Sequence, residues 1–122
     1  MSIPESLKLG ISVLSVAVKE PLEFYNREDY LLVEVNPRGR NNVPIYRTRK
    51  TIAKFLGKGK KPVAIRGYGS RGISITAVIA HLIKVEEERN WNFYFETFSA
   101  RYPKGEKQMT GLQVVLLPVT ES

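Results

Sequence analysis

Cysteine is absent from the 122 residues, and His81 is the one histidine. The lack of cysteine excludes disulfides, thiolate metal sites and cysteine nucleophiles, and one histidine leaves little scope for metal binding. The longest apolar run, residues 9–18, is broken by Gly10, Ser12 and Ser15 and has no basic leader, so it is neither a membrane span nor a signal peptide. The sequence therefore predicts an intracellular protein without membrane association, located in the cytoplasm, the nucleus or both.

Acidic residues are missing from the middle of the chain. Between Asn36 and Val85 there is no Asp or Glu, although this stretch carries twelve Lys and Arg. The flanks are mildly acidic, with six acids against three bases in residues 1–35 and six against four in residues 86–122. Unneutralised charge of this kind repels itself in a compact domain, and a polyanion such as a phosphate backbone relieves the repulsion. The alternative is a solvated basic face without a dedicated ligand.

The hydrophobic pattern predicts one domain of alternating strands and helices. Residues 9–18 could form a strand or an extension lying on the domain, and Pro21 to Glu28 has the composition of a connector. The predicted elements are a strand Tyr30–Val35, a helix from Pro44 to Gly57, a strand Val63–Arg66, a helix Ile73–Glu88, a strand Trp91–Ala100, a long hairpin loop Arg101–Gly111 and a strand Leu112–Val119. This order, βαβαββ, predicts a two-layer α/β sandwich in which two helices cover one face of a four-stranded mixed sheet. The domain would span residues 29–120, with residues 1–28 as an N-terminal extension that could add a strand.

A glycine-rich loop follows the second predicted strand. Its sequence, Gly67-Tyr68-Gly69-Ser70-Arg71-Gly72, satisfies G-x-G-x-x-G between a strand and a helix, as in dinucleotide-binding turns. A Rossmann fold would need further parallel strands, whereas the two that follow here are typical of a hairpin. Arg66 and Arg71 flank the glycines and suit a phosphodiester backbone lying across the loop. A purely structural glycine turn remains the other interpretation.

Patterns typical of catalysis are lacking. Glu86, Glu87 and Glu88 form a run at a helix end, where a solvated face is the usual explanation, and no G-x-S-x-G or H-E-x-x-H occurs. In contrast, the second helix has an apolar arc wider than one sheet requires, including Ala77 and Ala80. Together with the aromatic strand from Trp91, this arc predicts a dimer.

The segment Ile65-Arg66-Gly67-Tyr68-Gly69-Ser70-Arg71-Gly72-Ile73-Ser74, set between a Pro-initiated basic helix and a long hairpin, resembles the central motif of the Alba superfamily, approximately I-K-A-x-G-R-A-I-S/N-K. Arg66 matches the first Lys of that motif, and Arg71 matches its Arg. The match needs one inserted residue, Ser70, and Ile75 stands where the motif has its second Lys. The resemblance covers residues 29 to 119.

The resemblance implies the βαβαββ fold, a homodimer or a heterodimer with an Alba paralogue, and no catalysis, cofactor or metal. It also implies binding of RNA or DNA through the first loop, the glycine-rich loop and the hairpin arm. The short form of the chain looks most like the small eukaryotic members, which act on messenger RNA or in ribonucleoprotein particles. We therefore expect an RNA-binding protein, with a DNA-binding chromatin protein of the same fold as the first alternative and a nucleotide-binding enzyme as the second.

The expected nucleic-acid-binding residues are cations of the loops, the first helix and the hairpin arm, with one tyrosine that could stack on an unpaired base. They are Arg38, Arg40, Arg47, Lys50, Arg66, Tyr68, Arg71, Arg101, Lys104 and Lys107.

Overall fold

The computed structural model describes residues 3–38, 43–58, 61–86, 91–105 and 107–119 of the chain. After a single 3-10 turn at Glu5–Leu7, the elements follow in chain order. They are β1 (Val13–Ser15), β2 (Leu22–Asn26), β3 (Leu31–Val35), α1 (Ile45–Lys58), β4 (Val63–Tyr68), α2 (Gly69–Glu86), β5 (Trp91–Arg101) and β6 (Gln108–Pro118).

The strands form one mixed sheet in the order β1-β5-β6-β4-β3-β2. The pairs β3–β4 and β1–β5 are parallel, and the other neighbours are antiparallel. The prediction of four strands is wrong, because the N-terminal segment adds β1 at one edge and β2 at the other. Residues 21–28 were expected to be a connector, yet they contain β2. Its side chains are at most half-buried at the sheet edge, so no clear apolar alternation marks this strand in the sequence.

Both helices pack on one face of the sheet. Ile52 of α1 and Ile79 and Ile83 of α2 are fully buried in the main core, where they join the inward-facing side chains of the central strands. The strand residues of this core are Leu31, Val33, Val35, Val63, Ile65, Val114 and Leu116. The helices are thus fixed by apolar burial, which stabilises by about 25 cal/mol for each Å² of apolar surface removed from water.

The glycine-rich segment is not a loop, as the sequence pattern predicts, but the end of β4 and the first turn of α2. Gly69 has φ +72°, a left-handed conformation that lets the chain turn directly from strand into helix. A Cβ at Gly67 would overlap the Gly72 carbonyl oxygen and the Thr76 hydroxyl. The helix therefore begins four residues before the predicted Ile73, because these glycines permit a contact that any side chain would block.

The opposite face of the sheet is covered by the N-terminal segment. Leu7 packs there on Ala64, Val115 and Leu117. Farther along the segment, Val16 and Val18 pack against a second group of sheet side chains, including Tyr68 and Phe98. The Tyr68 and Phe98 rings meet edge to face, with centroids 5.5 Å apart. The central strands are consequently buried on both faces, by the helices on one and by residues 3–18 on the other, whereas Phe95 of β5 remains exposed on the helix side.

A row of polar side chains crosses the covered face. The five residues are paired in register from β2 to β5: Glu23, Glu34, Arg66, Gln113 and Glu96. At the centre of the row, Nε and NH2 of Arg66 donate to Oε1 of Gln113 at 3.0 and 2.7 Å, and NH1 lies 3.6 Å from Oε1 of Glu34. The guanidinium is therefore paired on both sides although the residue is only 9% exposed.

The same row holds the N-terminal segment in place. Gln113, oriented by Arg66, donates from Nε2 to the Leu7 carbonyl oxygen at 2.6 Å. At the β5 end of the row, Oε1 of Glu96 accepts from the Leu9 backbone N–H at 3.0 Å. Two polar side chains thus supply backbone partners to the segment at the point where it crosses the sheet.

Burial shifts the ionisation of the groups around Arg66. Desolvation raises the pKa of Glu34, although the Arg66 charge and a hydrogen bond from Tyr68 act in the opposite direction. Burial and the Glu34 charge raise the pKa of Tyr68 to about 12. Tyr68 therefore stays a neutral donor to the Glu34 carboxylate at ordinary pH.

We predict that replacing Arg66 with Met lowers the free energy of unfolding by about 3–5 kcal/mol, because Glu34 would lose the opposite charge beside it and would have to bind a proton or remain an uncompensated buried charge. The matched control is Lys54→Met, which removes an exposed charge from α1 and should change stability by less than about 0.5 kcal/mol. Urea unfolding followed by circular dichroism measures both. Adding Glu34→Leu to Arg66→Met should recover part of the loss. A value for Arg66→Met equal to that of Lys54→Met would contradict this account of the row.

Candidate nucleic-acid interface

Three chain segments meet at the end of the sheet where strands β3 and β4 finish. Because β3 and β4 are parallel, with Val35 opposite Gly67, the segment after β3 lies beside the start of α2. In β6, Gly111 lies opposite Tyr68, so the turn between β5 and β6 is at the same end. The exposed cations of this end, which we call the basic edge, are Arg38, Arg47, Arg71, Arg101, Lys104 and Lys107.

Both α-helices begin at the basic edge. Residues from the start of α1, including Val43 and Tyr46, line one cavity with Arg71 and Ser74 from the start of α2. Neither helix has an acidic residue in its first turn, where a carboxylate would be favourable. The partial positive charge of two helix N-termini therefore adds to the charge of the side chains around them.

Arg38 links the first loop to the hairpin and to the N-terminal segment. Its NH2 donates to the Val18 carbonyl oxygen at 2.8 Å, and its guanidinium lies over the Tyr102 ring, 5.2 Å from the centroid. Nδ2 of Asn36 donates to the Tyr102 hydroxyl at 3.2 Å. These contacts hold Arg38 next to the hairpin.

The hairpin arm is shorter than the sequence pattern predicts, and β1 pairs with its base. β5 continues to Arg101 and β6 begins at Gln108, so five of the eleven residues of the predicted loop Arg101–Gly111 belong to strands. The last residues of β5 also pair with β1, and the Val16 backbone N–H donates to the Arg101 carbonyl oxygen at 2.9 Å. Arg101, Lys104 and Lys107 are exposed around the turn of this supported hairpin.

The cations of α1 differ in their surroundings. Arg47 and Lys50 are exposed, as is Lys54 farther along the helix. Arg49, by contrast, is half-buried and its Nε lies 2.9 Å from Oε2 of Glu86 at the end of α2. Arg49 thus joins the two helices, whereas Arg47 and Lys50 face solvent near the basic edge.

Two of the predicted binding residues are buried. Arg66 and Tyr68 were expected in an exposed loop, but both lie in β4 and point to the face covered by the N-terminal segment. Tyr68 is 5% exposed, and its ring packs on Phe98. Tyr68 lies in the strand because β4 is two residues longer than predicted, and both side chains are buried because the N-terminal segment covers this face. Arg40 lies outside the described residues.

Tyr46 was not predicted as a site residue. It is 68% exposed in the first turn of α1, on the side of the helix away from the core. The sequence does contain a signal for it, since an aromatic residue directly beside Ile45 falls off the apolar stripe of an amphipathic helix. Exposed aromatic side chains next to cations are a common feature of nucleic-acid-binding surfaces.

Other kinds of site find no support in the part of the chain that the structure describes. Within the described residues, no group of three or more His, Cys, Asp or Glu side chains is arranged to hold a metal ion. No helix in that part of the chain is long and apolar enough to cross a membrane. The glycines that could suggest a dinucleotide turn are accounted for by the packing of α2 on β4.

Comparison with known proteins gives a match by structure. No protein-family model and no curated protein matches this chain. Alba from Thermoplasma volcanium is similar in structure, with a TM-score of 0.50 and 11% sequence identity over 69% of this chain and 98% of that chain. The chain therefore has an Alba-type α/β fold, with two helices and a mixed sheet that here contains six strands.

Proposed function

We propose that this protein is a non-catalytic nucleic-acid-binding protein that holds RNA along the basic edge. The observation that carries the proposal is the meeting of three cationic segments and two helix N-termini at one edge, with no acid in the first turn of either helix. A phosphate backbone complements such a surface, and the Alba-type fold supports the same function.

The binding set proposed from the structure differs from the expected one. Arg38, Arg47, Lys50, Arg71, Arg101, Lys104 and Lys107 remain in it as exposed side chains. Arg40 remains a sequence-based candidate. Arg66 and Tyr68 are assigned instead to the support of the covered sheet face, since a guanidinium already paired with Glu34 and Gln113 would have to lose those partners to reach a phosphate.

RNA is proposed over duplex DNA because an exposed aromatic lies among the cations of this edge. Tyr46 offers a stacking surface for unpaired bases, which duplexes do not present. We propose messenger-RNA regulation or a role in a ribonucleoprotein particle, in the cytoplasm or the nucleus, as the context of this binding. Competition between single-stranded RNA and duplex DNA at matched salt separates it from a chromatin function.

A dimer is proposed through the surface beside α2. Ala77, His81, Phe93, Phe95 and Leu112 are among the residues that line an apolar cavity of about 350 Å³ there. Phe95 is 75% exposed, and β1 pairs with β5 only at residues 99–101, so most of the outer edge of β5 has no strand partner among the described residues. A second copy would cover both the apolar surface and the strand edge.

The proposed RNA binding should depend strongly on salt. If about five to eight phosphates are neutralised, affinity should fall by about two to four orders of magnitude between 50 and 200 mM salt. Replacing Arg71 or Lys104 with Ala should lower the log–log salt slope by about 1, because one phosphate fewer is neutralised in each variant. Lys8→Ala, on the N-terminal segment, is the matched control and should leave the slope unchanged. A slope near zero for the unaltered protein, measured by fluorescence anisotropy, would contradict the proposal.

The dimer makes a separate prediction. Sedimentation equilibrium should give twice the chain mass of 13.9 kDa at micromolar concentration. Phe95→Glu should shift the protein to monomer, because a carboxylate would be buried in an apolar contact. Ile11→Glu places the same charge at another fully exposed apolar residue and should remain dimeric. A monomer for the unaltered chain, or equal behaviour of the two variants, would rule out this surface.

A further inference from the structure

We infer that the cavity between the first turns of α1 and α2 is a base-stacking site for single-stranded RNA, with Tyr46 as its stacking side chain. The inference rests on the proposed function and adds a ligand, an unpaired nucleobase, and a residue that recognises it. Val43, Ile45, Tyr46, Arg71, Ser74 and Ile75 line this cavity, which has a volume of about 490 Å³. That volume lies within the range of about 300–1,000 Å³ found for small-ligand sites.

The composition of the cavity fits a nucleotide. Tyr46 is 68% exposed, whereas an aromatic residue of the core would be buried by the rest of the domain. Ile45, Ile75 and Val43 line the cavity with apolar side chains. The apolar faces of a nucleobase lose little solvation free energy when they leave water for such a surface. Ser74 carries a hydroxyl that donates to or accepts from a base edge. None of the described residues that line the cavity is acidic, so none of them repels the phosphates of the same nucleotide.

The position of the cavity fixes how a strand would lie. Arg71 is exposed in the first turn of α2, where backbone N–H groups and the helix dipole already favour an anion. A nucleotide that stacks on Tyr46 would therefore have its phosphate beside Arg71. The neighbouring phosphates would then continue along the basic edge toward Arg38 and the hairpin cations.

Stacking on Tyr46 would favour binding of single strands over duplexes, which charge alone does not. Phosphates of a single strand and of a duplex are both attracted by the basic edge, but a paired base is not free to leave its stack. Loss of an aromatic platform typically weakens binding of single strands by about 5- to 100-fold, without regard to base identity. Tyr46 should therefore govern the preference for single strands and leave the electrostatic component unchanged.

The test compares Tyr46→Ala with the unaltered protein on a ten-nucleotide RNA and on the blunt-ended duplex of the same RNA with its complementary strand. Tyr46→Ala should weaken binding of the single strand about 5- to 100-fold and that of the duplex by less than about threefold. The log–log salt slope should stay the same for this variant, because tyrosine neutralises no phosphate. Tyr46→Phe and Tyr46→Trp keep a ring and should bind the single strand about as well as the unaltered protein.

The control is Tyr94→Ala, which makes the same chemical change at an exposed tyrosine of β5 and should leave both affinities unchanged. A 2-aminopurine probe, moved through the RNA one position at a time, should lose emission on binding at one or more positions and regain it with Tyr46→Ala. Equal affinity of Tyr46→Ala and the unaltered protein for the single strand would overturn the stacking site while leaving the proposed function intact. Failure of the unaltered protein to bind either RNA at low salt would overturn both.

Discussion

The buried guanidinium of Arg66 is the interaction on which the arrangement of the sheet depends. A charge at this depth is tolerated when it is paired and hydrogen-bonded; Glu34 supplies the opposite charge, and Oε1 of Gln113 accepts two hydrogen bonds from the guanidinium. Gln113 then has its amide group fixed, which directs Nε2 to the Leu7 carbonyl oxygen. One buried cation thus orients a hydrogen bond that, together with apolar packing of Leu7, fixes the N-terminal segment on the sheet.

Covering the second face of the sheet has consequences for the rest of the molecule. Helices close one face of the central strands and the N-terminal segment closes the other, so those strands offer little open face for a ligand. The segment also pairs β1 with the end of β5, which supports the hairpin, and accepts a hydrogen bond from Arg38 at Val18. The N-terminal segment, which has no direct role in the proposed binding, therefore holds two of the three chain segments that form the basic edge. These are the loop after β3 and the β5–β6 hairpin.

The sequence alone predicts the central βαβαββ unit because apolar residues recur in it with clear strand or helix periodicity, as in β3 and α1. It offers β1 only as one of two alternatives for residues 9–18 and does not indicate β2, because both edge strands are short and at most half-buried. The partner of β1 is also far along the chain, since Val13 pairs with Ser99. The role of Arg66 was also beyond sequence reasoning. Arg66 and Arg71 are both arginines beside the glycine-rich segment, so the sequence does not distinguish them. Gln113, the hydrogen-bond partner of Arg66, is 47 residues away in the chain. Burial separates two arginines that the charge pattern treats as alike.

Nuclear magnetic resonance mapping of RNA binding tests the central claim most directly. In a ¹⁵N-labelled sample titrated with single-stranded RNA, the largest shifts should occur for backbone amides of the basic edge, such as Arg38, Arg71 and Gly105. Amides at the opposite end of the sheet, such as Asn92, and on the N-terminal segment at Lys8 should change little. Shifts centred on the covered face or on the surface around Phe95, with the basic edge unchanged, would contradict the account.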